Sequence, residues 1–283
     1  MIAGASRRVR SRLNRSTGVR AWLLGLWFCS TGLGASGVLP PPPSAAPGTV
    51  PEIALIIDDL GTRLDAGRQV VQLPGPVACA FLPYGAYTEQ LAMQAHGRAK
   101  EVMLHLPMQT VNGRKLDAGG LTLDMTEHQL AETLQADLAR VPHASGINNH
   151  MGSLLTRHPG HMLWLFRAMR QDARLFFVDS RTTKHTVARQ IAYENGVPSL
   201  SRDVFLDDDP TPQAVHREFQ RLLGLARRNG SALGIGHPHP ATLATLQREL
   251  QRLPEAGVKL VPVARLVQRQ QERDSLWRAS LSP

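Results

Sequence analysis

The chain has 283 residues, 42% hydrophobic and 19% charged, the make-up of a globular protein with one large or two small domains rather than of a disordered chain. A formal charge of +9 hints at a phosphate-binding surface, but six of the 32 bases (Arg7, Arg8, Arg10, Arg12, Arg15 and Arg20) fall in the first 50 residues, where there is no acid. The remaining 26 bases face 23 acids, which argues against nucleic acid as a partner of the body. Two cysteines, Cys29 in the N-terminal apolar segment and Cys79 in the body, supply neither a disulfide framework nor a cysteine zinc cluster.

The basic stretch to Arg20 runs into the largely apolar segment Ala21 to Leu39, the order of an export signal, so residues 1–38 are expected to be a signal peptide or signal anchor. Small residues at Gly34, Ala35 and Ser36 suit cleavage. Left uncleaved, this segment is the expected membrane contact. Residues 39–51, with Pro40 to Pro43 and Ser44 to Gly48, read as an extended, semi-rigid linker. The expected location is outside the cytoplasm, in the periplasm or cell envelope.

From 52 to 267, short apolar runs alternate with amphipathic segments. Strands are predicted at Ile53 to Ile57, Val77 to Leu82, Val102 to Leu106, Leu175 to Val178, Ala232 to Ile235 and Val258 to Val263, with weaker signals near Ile147 and Val204. Thr126 with Gln129 forms a capping box ahead of Leu130, Leu134 and Leu138. Thr211, Pro212, the apolar positions Val215, Phe219, Leu222 and Leu223, and Gly230 mark a second complete helix. The βαβα order predicts an α/β domain with parallel strands. Residues 268–283, beginning Gln268-Arg-Gln-Gln, read as a polar C-terminal tail or fraying helix.

Four apolar runs end in polar groups: Asp58-Asp59, His105, Asp179 and, one residue past Gly236, His237. In parallel α/β folds the carboxyl ends of the strands share one mouth, where ligand and catalytic groups gather. Of the two adjacent carboxylates, one can bind a metal while the other accepts a proton. His105 lies among apolar neighbours, whereas His150, after Asn148 and Asn149 and before Gly152, sits in a turn-prone context expected to be a loop. One Asp and two His leave an open position on a divalent ion, as in catalytic zinc sites. His237, directly after a strand and titrating near neutrality, suits a general acid. Asp179 and Arg181 supply an acid and a base at another strand end, where the arginine can fix the Asp or clamp a substrate oxygen. The run Asp207-Asp208-Asp209 reads as solvated, because it lacks the alternation of a calcium loop.

Together, Ile56-Ile-Asp-Asp-Leu-Gly61, His105-Leu-Pro-Met108, Gly146-Ile-Asn-Asn-His-Met-Gly-Ser153, Phe177-Val-Asp-Ser-Arg-Thr182, Arg202-Asp-Val-Phe-Leu-Asp207 and Ile235-Gly-His-Pro-His239 resemble the divergent polysaccharide deacetylase family, distant relatives of the NodB-type carbohydrate esterases. The resemblance spans roughly residues 52–267. It implies a distorted (β/α) barrel of about seven parallel strands and a bound divalent metal, with zinc the expected ion. Carried onto this chain, it implies Asp58 as base, Asp59, His105 and His150 as metal ligands and His237 as acid. The H-x-x-x-H spacing of the wider esterases is absent, so the second imidazole ligand has to come from a separate segment. The implied activity is removal of N-acetyl groups from an envelope glycan or oligosaccharide by hydrolysis of a carbon–nitrogen bond. Two other readings remain: a catalytically inactive deacetylase-like domain that binds glycan or a partner protein, and a hydrolase of a different bond on the same barrel.

Overall fold

A computed structural model describes residues 39–40 and 49–281. The expected export signal and most of the linker lie outside the described residues. No helix among the described residues is long and apolar enough to cross a membrane. In chain order the elements are β1 (Glu52–Leu60), α1 (Leu64–Gln72), β2 (Ala78–Phe81), α2 (Thr88–Gly97), β3 (Val102–Met108), α3 (Glu127–Arg140), β4 (Ala144–Met151), α4 (Pro159–Met169), β5 (Phe176–Asp179) and α5 (Ala188–Glu194). They continue with β6 (Ser199–Ser201), β7 (Val204–Phe205), α6 (Pro212–Asn229), β8 (Ser231–Gly236), α7 (Pro240–Glu249), β9 (Lys259–Leu260) and α8 (Val263–Leu281).

The strand order is β6-β5-β4-β3-β2-β1-β8-β7, with every neighbouring pair parallel and β9 paired to the start of β1. The end strands β6 and β7 are separated in the chain by only Arg202 and Asp203, so the sheet has to curl until its margins almost meet. The result is a barrel with one unpaired seam, eight strands on its main path rather than about seven. Val258 to Val263, predicted as a full strand, forms only the two-residue β9 before Pro262 and α8 begin.

Strand alternation sorts the core into two sides. Ala54, Ile56, Ala78, Ala80, Met103, Phe176, Val178, Leu233 and Ile235 pack together inside the barrel. The intervening residues, among them Leu55, Ile57, Cys79, Phe81, Leu104 and Phe177, pack outward on helix residues such as Leu91, Leu130, Phe166 and Phe219. The two predicted caps form: Thr126 and Gln129 make the reciprocal box at α3, and Thr211 caps α6, which ends on Gly230 in the left-handed region.

The polar C-terminal stretch is the second half of α8, and its anchors explain why it is helical despite lacking an apolar stripe. Glu101 accepts hydrogen bonds from the N–H groups of Val263 and Ala264, at 2.7 and 3.0 Å, capping the helix. Val263, Leu266 and Val267 then enter the inner core. Arg269 pairs with Glu52 at 2.6 Å, and Arg278 stacks on Tyr193 at 4.2 Å.

Candidate active site and metal centre

The alternation that fills the barrel interior also selects the residues at its mouth. Two residues beyond Ile56 is Asp58, beyond Met103 is His105, beyond Val178 is Ser180, and beyond Ile235 is His237. On β4 the same series runs Gly146, Asn148, His150. Gly146 has to be glycine, since a Cβ would lie 2.4 Å from the Phe176 ring. The inner face of β4 is therefore polar where its neighbours are aliphatic, which is why the sequence signal near Ile147 is weak. His150, expected on a loop, is a strand residue of β4.

Asp59 breaks the alternation. The β1–β2 register shifts between Ile57 and Leu60, and Asp59 takes a left-handed φ of 57°, which turns its carboxylate to the mouth beside Asp58. Gly61, at φ 104°, completes the exit where any Cβ would meet the Thr88 hydroxyl.

Asp59 Oδ1, His105 Nε2 and His150 Nδ1 form a triangle with edges of 3.2, 2.9 and 3.0 Å. Asn148 fixes one imidazole: its Oδ1 can only accept, so His105 Nδ1 donates to it at 3.0 Å and Nε2 presents its lone pair to the triangle. The amide orientation is in turn set by Asp58, whose Oδ1 accepts from Asn148 Nδ2 at 2.8 Å. Asp117 fixes the other imidazole, with its Oδ2 3.1 Å from His150 Nε2. Three acceptor atoms thus converge, and Asp59 Oδ1, buried from solvent, takes no hydrogen bond of proper geometry. Such convergence is repulsive unless a positive charge sits among the atoms, and three donors about 2.1 Å from one ion have this spacing. The residues fit a divalent metal, and the Asp-His-His donor set leaves coordination open. Asp207, His237 and His239 can also approach one point, but Asp207 already accepts from His237 N–H, His237 Nδ1 and Thr242 Oγ1, at 2.6, 3.0 and 2.7 Å.

Two further groups face the triangle. Asp58 Oδ2 lies 3.7 Å from His105 Nε2, and His237 Nε2 lies 3.8 Å from Asp59 Oδ2. Burial raises the Asp58 carboxyl above its usual range, more than His105, His237 and the Asn148 bond lower it, which makes it a stronger base. For Asp59, burial also acts upward but is overcome when the imidazoles of His105 and His150 carry protons, a positive charge in the place a metal ion would take, and the group is then held ionised far below the ordinary range. Burial would depress His237, yet the bond to Asp207 and the charges of Asp58, Asp207 and Asp59 push it up to about 9, so it holds its proton at neutrality.

The structure thus assembles Asp58, Asp59, His105, His150 and His237, and leaves Asp179 and Arg181 beside them. Asp179 has the outward parity of β5: it accepts from Arg181 N–H at 2.9 Å and Thr186 Oγ1 at 3.0 Å, while Ser180 Oγ accepts from Asn148 Nδ2 at 3.3 Å. Sequence reasoning missed Asn148, Asp117 and Asp207. Asp207, expected in a solvated run, is buried and holds His237.

A curled parallel barrel whose mouth joins a carboxylate–imidazole triangle to a buried carboxylate and an Asp-held imidazole has the make-up of the polysaccharide deacetylase class. The sequence matches the divergent polysaccharide deacetylase family over residues 55–267, and the chain belongs to that family. An uncharacterised protein of Haemophilus influenzae is 39% identical over 215 residues, 76% of this chain and 76% of that protein. An uncharacterised Agrobacterium tumefaciens structure superposes with a TM-score of 0.73 at 20% identity, covering 80% of this chain and 92% of that one. The peptidoglycan deacetylase PdaC of Bacillus subtilis gives a TM-score of 0.51 at 13% identity, over 84% of this chain and 100% of that one. The last two are likenesses of fold.

Proposed function

We propose that this chain is an exported, zinc-dependent hydrolase that removes N-acetyl groups from a glycan of the cell envelope. The observation that carries the reading is the convergence of three lone-pair atoms, the orphaned Asp59 Oδ1 with His105 Nε2 and His150 Nδ1, flanked by a proton acceptor and a protonated imidazole. Two imidazoles and one carboxylate favour zinc among common divalent ions. The ion held by Asp59, His105 and His150 would polarise the acetamide carbonyl and stabilise the charge that develops there.

Asp58 takes the proton of the attacking water, its basicity raised by burial and its orientation held by Asn148. His237 gives its Nε2 proton to the departing sugar amine while Asp207 holds the other ring nitrogen. Export rests on the basic and apolar order of residues 1–38, and the glycan substrate on the family's chemistry. The test is metal content by elemental analysis together with acetate release from an N-acetylated glycan. Near-stoichiometric zinc lost in Asp59→Ala, with turnover lost in Asp58→Asn, is expected. A wild-type chain that takes up no divalent ion when offered one overturns the reading and favours a binding-only domain.

A further inference from the structure

We propose that Arg181 and Arg202 form an anion subsite beside His237, and that the substrate is accordingly an acidic N-acetylated glycan whose carboxylate docks there. This specifies the substrate of the proposed site and rests on that reading for its glycan part. Arg181 follows Ser180 at the end of β5 with a left-handed φ of 50°, a strained state for a non-glycine residue of a kind that concentrates at functional sites. Two bonds hold it: its N–H donates to Asp179 Oδ1 at 2.9 Å, and its carbonyl accepts from Arg202 Nη2 at 3.2 Å. Arg202 also donates from Nε to the Ser180 carbonyl at 2.7 Å and stacks on the Phe205 ring at 4.8 Å. Phe205 in turn packs against the His237 ring at 5.2 Å.

Among the described residues neither guanidinium has a carboxylate within the 4.0 Å of an ion pair: Asp179 and Asp203 attract both from further off, as Asp58 does Arg202, and the two cations are close enough to repel. They wall a cavity of about 600 Å³, the size class of a ligand pocket. Acids on the other wall are already engaged or exposed: Glu218 pairs with Arg221 at 2.8 Å and Arg217 at 3.7 Å, Asp209 accepts from the N–H of Thr211 at 3.0 Å, and Asp208 stands exposed on the rim. Planar guanidinium forks match a carboxylate in two-point contact. Because Phe205 joins this cavity to the acid His237, the carboxylate belongs on the amine-bearing side of the scissile bond, on the same sugar or its neighbour.

The experiment measures calorimetric binding to the zinc-loaded full-length chain of three probes. These are an N-acetylglucosamine tetramer, a tetramer in which alternate sugars carry a lactyl-ether carboxylate, and inorganic phosphate. The acidic tetramer is expected to bind at least about tenfold tighter than the neutral one at low salt, because a charge-assisted contact is added. That ratio should fall to about one in Arg181→Gln and survive in part in Arg181→Lys, with melting temperatures unchanged. Equal binding of the two tetramers by the wild-type chain, or a ratio that survives Arg181→Gln, overturns the subsite. If neither tetramer binds, phosphate decides: binding abolished by Arg181→Gln keeps the subsite and removes the glycan reading, and phosphate binding that is absent or indifferent to Arg181 removes the subsite.

Discussion

Replacing Asp207 with Asn removes a buried charge while keeping the shape of the group that holds His237. The wild-type imidazole is pushed up to about 9 from 6.5, a difference worth about 3 kcal/mol in favour of the imidazolium at 1.36 kcal/mol per pH unit. Its sign follows from proton binding. The folded chain holds the proton more tightly than the unfolded one, so this stabilisation is fully present below pH 6.5 and is lost as pH rises through 9. In Asp207→Asn the strongest upward influence on His237 is gone while burial remains, and the imidazole returns toward its ordinary value. At pH 8 the acid form then falls from about nine-tenths to a few per cent, a loss of roughly 30-fold, whereas at pH 6 both proteins stay mostly protonated. A pH–rate profile of acetate release reads this directly, and NMR titration of the His237 ring reads it without turnover. If the two profiles superimpose after scaling by one pH-independent factor, Asp207 merely positions the ring and the electrostatic argument is wrong.

Removing the carboxylate of Asp117, which faces His150 Nε2 from an exposed loop, in Asp117→Ala should weaken zinc affinity by about 10–100-fold with little change in the apo melting temperature. Competition against a chromophoric chelator measures it, and unchanged affinity would refute the role. Asp137 is buried without a well-formed hydrogen bond and burial pushes its carboxyl up to about 8, so the unfolded chain loses that proton near pH 4 while the folded chain keeps it. Stability should therefore fall as pH rises between those values, and Asp137→Asn should be more stable than wild type at pH 9, by up to about 5 kcal/mol, yet similar at pH 4. Urea unfolding at both pH values tests this, and parallel pH curves would contradict it. Glu101→Ala uncaps α8 and should destabilise the chain by about 1–2 kcal/mol, with hydrogen exchange rising first at Val263 and Ala264.

The barrel was legible because buried parallel strands announce themselves as aliphatic runs, and Asp58, His105 and His237 because they continue those runs at even spacing. Counting the same period on β5 would have favoured Ser180 over Asp179, since Phe176 and Val178 face inward. The strand character of His150 was hidden because β4 spends its inner positions on Gly146, Asn148 and His150 instead of aliphatic side chains. Nothing local identifies Asn148 as the bridge from His105 to Asp58, 43 and 90 residues away in the chain, or brings Asp117 to His150. Asp207 was obscured by Asp208 and Asp209, which are exposed where it is buried.

The seam between β6 and β7 has a consequence for insertions and deletions. Arg202 N–H bonds to the Asp179 carbonyl at 3.0 Å, while Asp203 binds both backbone groups of Leu233, its N–H to the carbonyl at 2.9 Å and its carboxylate to the N–H at 2.8 Å. These two connector residues therefore act as the last rungs of ladders on opposite margins of the sheet, and neither can be spared or duplicated. One inserted residue would leave a rung unmade and spread the margin carrying Ser180 from the margin carrying His237. The 202–203 junction should therefore keep its length wherever Ser180 and His237 are kept facing one mouth, while Asp58 and His237, at the ends of the paired strands β1 and β8, are held together by their own ladder.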